Sequence, residues 1–226
     1  ESRDRVMVAG SFTTDLMAVN RRLYDRLWRH SRLISPDRFN TWPIVQSLLA
    51  LGGERLEVAP GLRPRLPIAG SYFVDVSAEA LGPLRRRGGL VALAAAGRMP
   101  FPDASFRLLC ALDVIEHLDD DAAGFAELGR LAMPGGRLLL SAPLHEARWS
   151  RFDDLVGHRR RYDPERLVAK LRDSGFAVER SAAFGMRPRS AWLASLGMDL
   201  LARHPVRGFW CYNKILMPLA MLRQKP

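Results

Sequence analysis

Lysine is nearly missing from this chain. Of its 34 basic side chains only Lys170, Lys214 and Lys225 are lysines, and the rest are arginine. The formal net charge of +10 invites a nucleic-acid partner, since clustered cations replace condensed counterions on phosphate. Net charge speaks to association rather than to fold, however, and an arginine- and alanine-rich composition also follows from a GC-rich coding sequence. Nucleic acid is not the expected partner. Cysteine is scarce too: Cys110 and Cys211 make no disulfide framework and suggest a reducing compartment. No apolar run approaches the roughly 20 residues of a membrane span, and the first residues lack a signal peptide's apolar core, so a cytoplasmic chain without a transmembrane segment is expected. Cys-x-x-Cys is absent and no two histidines sit at ligand spacing on one helix, so no metal site is expected.

What is present is apolar sequence in short alternating blocks. The 226 residues, 48% hydrophobic, suffice for one domain with a buried core. From Thr13 to Leu51 apolar residues recur at three- and four-residue spacing, broken at Ser35-Pro36-Asp37, which predicts an N-terminal helical cap over residues 1–50. Residues 51–184 alternate strand-like and helix-like segments. Strands are expected at Leu56–Val58, Ser71–Asp75, Leu90–Ala94, Phe106–Leu112, Leu138–Ser141 and Phe176–Ala182. Helices are expected over Ala78–Arg87, after the acids Asp119 to Asp121, and from Asp163-Pro164 to Ser174-Gly175. Pro64 and Pro67 stand where the first crossover helix would begin, and proline costs about 3 kcal/mol in a helix interior. That helix should be short or missing. His145 to Tyr162 reads as a loop, Ala191 to Ala202 as a helix, and a terminal strand is expected near Met221, within an extension over residues 185–226. Alternation of this kind predicts an α/β fold with a mostly parallel sheet covered on both faces.

The stretch Arg55 to Pro67 organises the rest. Leu56-Glu57-Val58 runs straight into Ala59-Pro60-Gly61, a buried strand ending in a tight turn. Ligands of open α/β sheets sit beyond the carboxyl ends of the strands, where small residues admit them to the backbone. The turn has neither the Lys-Ser/Thr of a P-loop nor the three glycines of a dinucleotide fingerprint. Glu57 would repel a pyrophosphate and favour an ammonium or sulfonium. Asp75, closing the second predicted strand, is placed to accept hydrogen bonds from ribose hydroxyls. A ligand with a cationic amino-acid end and a ribose is S-adenosylmethionine.

Three further blocks carry a resemblance: Met99-Pro100-Phe101-Pro102-Asp103-Ala104-Ser105-Phe106, then Asp113-Val114-Ile115-Glu116-His117-Leu118, then Leu131-Ala132-Met133-Pro134-Gly135-Gly136. In this order they resemble a class I SAM-dependent methyltransferase of the "methyltransferase domain 11" type. The resemblance implies a Rossmann-like fold with a seven-stranded, mostly parallel sheet and an antiparallel last strand. It implies S-adenosylmethionine as cofactor and S-adenosylhomocysteine as product. Mapped onto this chain, Glu57 with Ala59, Pro60 and Gly61 would hold the methionine end, Asp75 and Val76 the ribose, and Ala96, Gly97 and Leu112 the adenine side. The chain departs from the family where Ala59 and Arg63 take glycine positions and where Ala95 takes that of an acid.

Methyl transfer from a sulfonium needs alignment of the acceptor and, for some acceptors, removal of a proton. Candidate catalytic residues are His117, His145 and Asp113, which follow the fourth and fifth strands. Candidate substrate contacts are Tyr24 and Trp28 from the cap and His158, Arg161 and Tyr162 from the Gly157–Tyr162 run. That run reads either as guanidiniums holding an anionic acceptor or as a tethered loop with solvated arginines. The expected activity is methylation at oxygen, nitrogen or carbon of a small-molecule acceptor, a secondary metabolite or a cell-envelope precursor. The apolar and basic tail can touch a lipid or lipid-linked substrate. An RNA methyltransferase, or a degenerate member that binds without catalysing, are the alternatives. The oligomeric state is left open.

Overall fold

The computed structural model describes residues 7–8, 24–25, 28 and 31–182. Six strands build one sheet: β1 (Met7–Val8), β2 (Arg55–Val58), β3 (Tyr72–Asp75), β4 (Leu90–Leu93), β5 (Phe106–Leu112) and β6 (Ala132–Ser141). Their spatial order is β1-β4-β3-β2-β5-β6, with every pairing parallel. The sheet is accompanied by α1 (Trp42–Leu49), α2 (Ala78–Arg85), α3 (Asp121–Leu131), α4 (Arg151–Val156) and α5 (Pro164–Asp173), with short 3-10 turns at Pro36–Arg38, Ile115–His117 and Glu146–Arg148.

The period of two along each strand sorts the core into two faces. On β5, Leu108 and Cys110 pack with Val45 of α1 and with Leu66. The alternate residues Leu109 and Ala111 face the larger cluster with Phe125, Leu128 and Leu131 of α3. On β3, Phe73 packs with Leu81 and Leu84 of α2, while Val74 joins the larger cluster. Strand order runs outward from β2 through β3 and β4 on one side and from β5 to β6 on the other. The direction therefore reverses between β2 and β5, where a crevice opens beyond the carboxyl ends of open α/β sheets.

Helix ends follow the local chemistry. Ser77 and Asp120 accept the Ala80 and Ala123 amides at the starts of α2 and α3. Asp163 accepts those of Glu165 and Arg166 ahead of Pro164, and Gly175 at φ +87° follows the end of α5. As expected from Pro64 and Pro67, no helix connects β2 to β3.

The remaining expectations differ in instructive ways. Phe176–Ala182 pairs with no strand. Among the described residues the sheet has six strands, all parallel, against the seven expected with an antiparallel last strand; the predicted helix at 191–202 and strand near Met221 lie outside the described residues. Pro134-Gly135-Gly136 does not precede β6 but is drawn into it, where the ladder shifts register opposite Phe106 and Leu108. A Cβ on Gly136 would lie 2.8 Å from the Met133 carbonyl. The segment His145–Tyr162 is not a plain loop: a capping box between Ser150 and Asp153 starts α4, and Gly157 at φ +78° ends it.

In place of a crossover helix, one carboxylate organises the connection. Glu57, buried in β2, accepts the Arg65 amide at 2.8 and 2.9 Å and the Leu66 amide at 2.9 Å. Burial pushes this carboxyl up to about 7, against the pull of those amides and of the Arg65 charge. The folded state thus keeps a proton that the unfolded chain releases near 4.5, so this group's contribution to stability falls as pH rises from 4.5 to about 7. Urea unfolding of wild type and Glu57→Gln across that interval should show wild type gaining on the variant as pH falls. A difference between the two that does not vary with pH would contradict the assignment.

Candidate functional site

The carboxyl ends of β2, β3 and β5 carry part of the candidate set. β2 ends in Ala59 at φ +51° and Gly61 at φ +55°, so the turn bends through the left-handed region twice. For alanine this conformation costs roughly 1–2 kcal/mol. The Ala59 amide bonds the Val74 carbonyl at 2.6 Å, which ties the turn to the end of β3. Asp75, the last residue of β3, accepts the Gly61 amide at 3.1 Å on one oxygen and the Ser77 amide at 2.8 Å on the other. Burial, opposed by those amides, raises the Asp75 carboxyl to about 6.

Cap residues lie on this turn. Tyr24, Asp25 and Trp28 are helical, and the Trp28 indole is pressed against Gly61, where a Cβ would come within 2.1 Å of Cζ2. The Arg63 guanidinium stands 5.5 Å from the Trp28 ring centroid. Ser77 Oγ donates to Asp25 Oδ1 at 2.5 Å, a second link between cap and sheet. Trp28 therefore forms a wall of the cradle around Gly61, and Asp25, which the sequence did not single out, sets the cap over Asp75.

Beyond β5 the chain turns at Asp113, exposed and at φ +54°, whose carboxylate accepts the Ser141 hydroxyl at 2.7 Å. His117 is held from two sides: Nε2 lies 3.3 Å from the Tyr24 hydroxyl and Nδ1 lies 3.3 Å from the Gly157 carbonyl. Burial, reinforced by the neighbouring His158, lowers its pKa to about 4. The ring is neutral across the physiological range. Val76 is half-buried after β3, Ala96 and Gly97 follow β4, and Leu112 ends β5, so the carboxyl edge of the sheet carries small and apolar residues there.

The loop over β5 centres on an acid that sequence reasoning missed. Asp153 is fully buried and accepts from Ser150, from His158 Nδ1 at 2.8 Å, and from Arg161 through Nε at 2.8 Å and NH2 at 2.9 Å. Burial raises its carboxyl, but these bonds outweigh it and the pKa falls to about 2. The available signal was the Ser150-x-x-Asp153 spacing of a capping box. The arginines of the run are engaged inside the protein: Arg159 with Asp119, Arg160 with Asp121 and Arg161 with Asp153. Tyr162 is buried against Phe125 and donates to Asp121 Oδ2 at 2.9 Å, facing the core rather than the crevice. His145 is exposed, at φ +64°, with its amide on the Tyr162 carbonyl.

These residues fit an adenosyl cofactor. Each Asp75 oxygen accepts one amide, and a carboxylate has lone pairs to spare for ribose hydroxyls. The double left-handed turn and the absent Gly61 side chain bring backbone to the cradle's floor. Glu57 acts differently from the expectation that it meets the ligand's ammonium: its oxygens face the backbone of Arg65 and Leu66.

The turn makes two opposite predictions. Ala59→Gly should raise stability by about 0.5–1 kcal/mol, because glycine relieves the left-handed strain and loses part of the gain to chain entropy. Gly61→Ala should lower it through strain and the Trp28 clash, and Trp28→Ala should suppress the clash component in a double-mutant cycle. Urea unfolding of the four variants measures both. Additive effects of Gly61→Ala and Trp28→Ala would mean that the indole does not sit on this glycine.

Comparison with known proteins agrees with this geometry. Residues 57–140 match a family model described as a methyltransferase domain. An uncharacterised protein of Mycobacterium tuberculosis is 33% identical over 133 residues, which is 55% of this chain and 47% of that protein; the chain thus spans about half the length of the curated relatives it matches. Among solved structures, the [4+2]-cyclase SpnF is similar with a TM-score of 0.60 at 19% identity, covering 96% of this chain and 94% of its own. A possible histamine N-methyltransferase from Thermotoga maritima has a TM-score of 0.53 at 20% identity, over 70% of this chain and 82% of its own. Phosphoethanolamine N-methyltransferase 2 of Haemonchus contortus has 0.51 at 15%, over 93% of this chain and 55% of its own. At such identities the likeness is one of fold. Residues 57–140 thus match a methyltransferase domain, and the parallel sheet around the β2 turn and the β3 acid has the fold of class I SAM-dependent methyltransferases, whose cofactor is S-adenosylmethionine.

Proposed function

We propose that the chain transfers a methyl group from S-adenosylmethionine to oxygen, nitrogen or carbon of a small-molecule acceptor, a secondary metabolite or a cell-envelope precursor. The observation that carries the reading is the Tyr24–His117 contact at 3.3 Å beside the Asp75–Gly61 cradle, where cap and sheet meet. When bound, the cofactor supplies an electrophilic methyl on a sulfonium. Asp75 would hold the ribose, the Ala59–Gly61 turn and Trp28 the methionine end, and Ala96, Gly97 and Leu112 the adenine.

A histidine with pKa about 4 is a weak proton sink, and efficient general bases lie near the working pH. His117 therefore serves by accepting a hydrogen bond from the acceptor and aiming its nucleophile, with Tyr24 closing the pocket. Alignment supplies most of the acceleration. Asp113 and His145, exposed at the rim, are placed to meet acceptors that need a proton removed. His158 and Arg161 line the pocket's outer side through Asp153.

The working organisation is a cap over residues 1–50, a core over 51–184 and an extension over 185–226. No helix among the described residues is long and apolar enough to cross a membrane. The buried free thiol of Cys110 suits a reducing, cytoplasmic compartment, and contact with a lipid-linked acceptor remains within the reading. Internal pairing of Arg130, Arg159, Arg160 and Arg161 with acids argues against an RNA acceptor. A second reading, ligand binding without methyl transfer, is favoured by one observation: a cyclase shares the fold, so the fold does not dictate the reaction.

Calorimetry with S-adenosylhomocysteine should give micromolar affinity, weakened at least about tenfold by Asp75→Asn as a charge-assisted hydrogen-bond partner is lost. Turnover with an acceptor pool, followed as S-adenosylhomocysteine release, should then fall in His117→Ala and Tyr24→Phe without loss of cofactor affinity. Binding without any release would favour the second reading, and absence of binding would reject both.

A further inference from the structure

Glu116 has no counterpart in the chemistry described so far. Its side chain is fully buried at the exit of β5, and neither carboxylate oxygen has a hydrogen-bond partner of normal geometry. A buried polar group left in that state calls for an explanation, and an ion is one of the few available. Its neighbours suggest which ion. Glu116, His117 and His158 each offer a ligand atom, and the three atoms lie within 4.8 Å of one another. The Glu116 Oε1 to His158 Nε2 distance is 3.8 Å. Donors around a tetrahedral ion bound at about 2.0–2.2 Å stand about 3.3–3.6 Å apart, so a small inward adjustment completes the set.

The outer shell is already in place. His158 gives its other nitrogen to Asp153 at 2.8 Å, and Arg161 and Ser150 fix that carboxylate in turn. A metal-bound histidine almost always gives its other nitrogen to a carboxylate, a backbone carbonyl or a water, which orients the ring and sets which nitrogen faces the ion. His117 leans its Nδ1 on the Gly157 carbonyl, which leaves Nε2, now 3.3 Å from the Tyr24 hydroxyl, to exchange that hydroxyl for the ion. The two ligand segments are also joined by backbone, through the Arg159 amide on the Glu116 carbonyl at 2.8 Å. Because the ligands come from the β5 exit and from the residue after the α4 C-cap, they lie 41 and 42 positions apart in sequence, which is why no spacing motif announces them.

We propose that Glu116, His117 and His158 form a binding site for one divalent transition-metal ion, zinc being the best match to two imidazoles and a carboxylate. The site goes beyond the methyl-transfer reading and stands whether or not that reading holds. Three protein ligands leave a tetrahedral ion one open position, on which a water or an oxygen of an incoming molecule binds.

The test is titration of the full chain, stripped with chelator, with zinc chloride alone by calorimetry, with cobalt chloride in parallel for its visible spectrum. One zinc per chain is expected, with a rise in melting temperature and tetrahedral cobalt bands. Glu116→Gln and His158→Ala should each abolish the cobalt bands and weaken zinc at least tenfold, and Asp153→Asn should weaken it by about 10–100-fold. His145→Ala, outside the set, should leave affinity unchanged. Circular dichroism without metal establishes that each variant is folded. Absence of stoichiometric zinc and of cobalt bands in the wild-type chain would overturn the proposal, as would undiminished binding in folded Glu116→Gln and His158→Ala. The wild-type titrations decide even if a variant fails to fold.

Discussion

The carboxylate of Glu57 is the constraint from which the site's geometry follows. A parallel strand pair needs a crossover, and in this chain the crossover from β2 to β3 cannot be helical because Pro64 and Pro67 interrupt it. An irregular connection packed at the middle of the sheet leaves amides that must find acceptors. Glu57 supplies them from inside the sheet, collecting the Arg65 and Leu66 amides, while Leu66 itself fills the space between β5 and α1. Arg65, buried beside it, lays its guanidinium 3.5 Å from the Phe39 ring centroid. The result is a connection held by one acid and one cation–aromatic contact instead of a helix.

That solution sets the next layer. With the connection drawn inward at residue 65, the six residues between it and the end of β2 must turn sharply, which places both Ala59 and Gly61 in the left-handed region. Only a residue without a side chain tolerates Trp28 at position 61, and only a short turn brings the Gly61 amide onto Asp75. The acid that would meet a ribose is thus oriented by the same turn that forms the cradle's floor. Cap, turn and β3 are three views of one packing arrangement.

Much of this was legible in the sequence, and the reason is local chemistry. The strand ends at Val58 and Asp75, the missing crossover helix, and the caps at Asp120 and Asp163 all follow from residues within a few positions of the feature they specify. What escaped depends on distance along the chain. Asp153 meets His158 and Arg161 around the end of its own helix, five and eight residues on, and Glu116 meets His158 across the whole of α3, β6 and α4. Tyr162 is a candidate substrate contact because the Gly157–Tyr162 run resembles runs in the methyltransferase family, yet its register turns it to Phe125 and Asp121. The arginine run reads two ways in sequence, and no local pattern pairs Arg159 with Asp119 or Arg160 with Asp121, while the capping-box spacing marks Asp153 as a helix cap without naming Arg161 as its partner.

The β5 exit carries a tension that these long-range contacts explain. Evolution of a buried acid beside two imidazoles is costly unless something uses it, since a carboxyl stripped of water and partners is penalised by several kcal/mol. Burial, with repulsion from Asp113, holds the Glu116 carboxyl well above the usual carboxylate range. Asp119, Asp121 and Asp153 hold Arg159, Arg160 and Arg161, and the charge of Arg161 offsets only part of the cost of burying Glu116. A purely structural role would be met equally well by a glutamine, whose amide could satisfy itself on nearby carbonyls. What the fold leaves at this point is an acid without a hydrogen-bond partner and an imidazole, His158, braced through Nδ1 with its Nε2 aimed at that acid: groups whose direction is fixed and whose capacity to bind is not consumed.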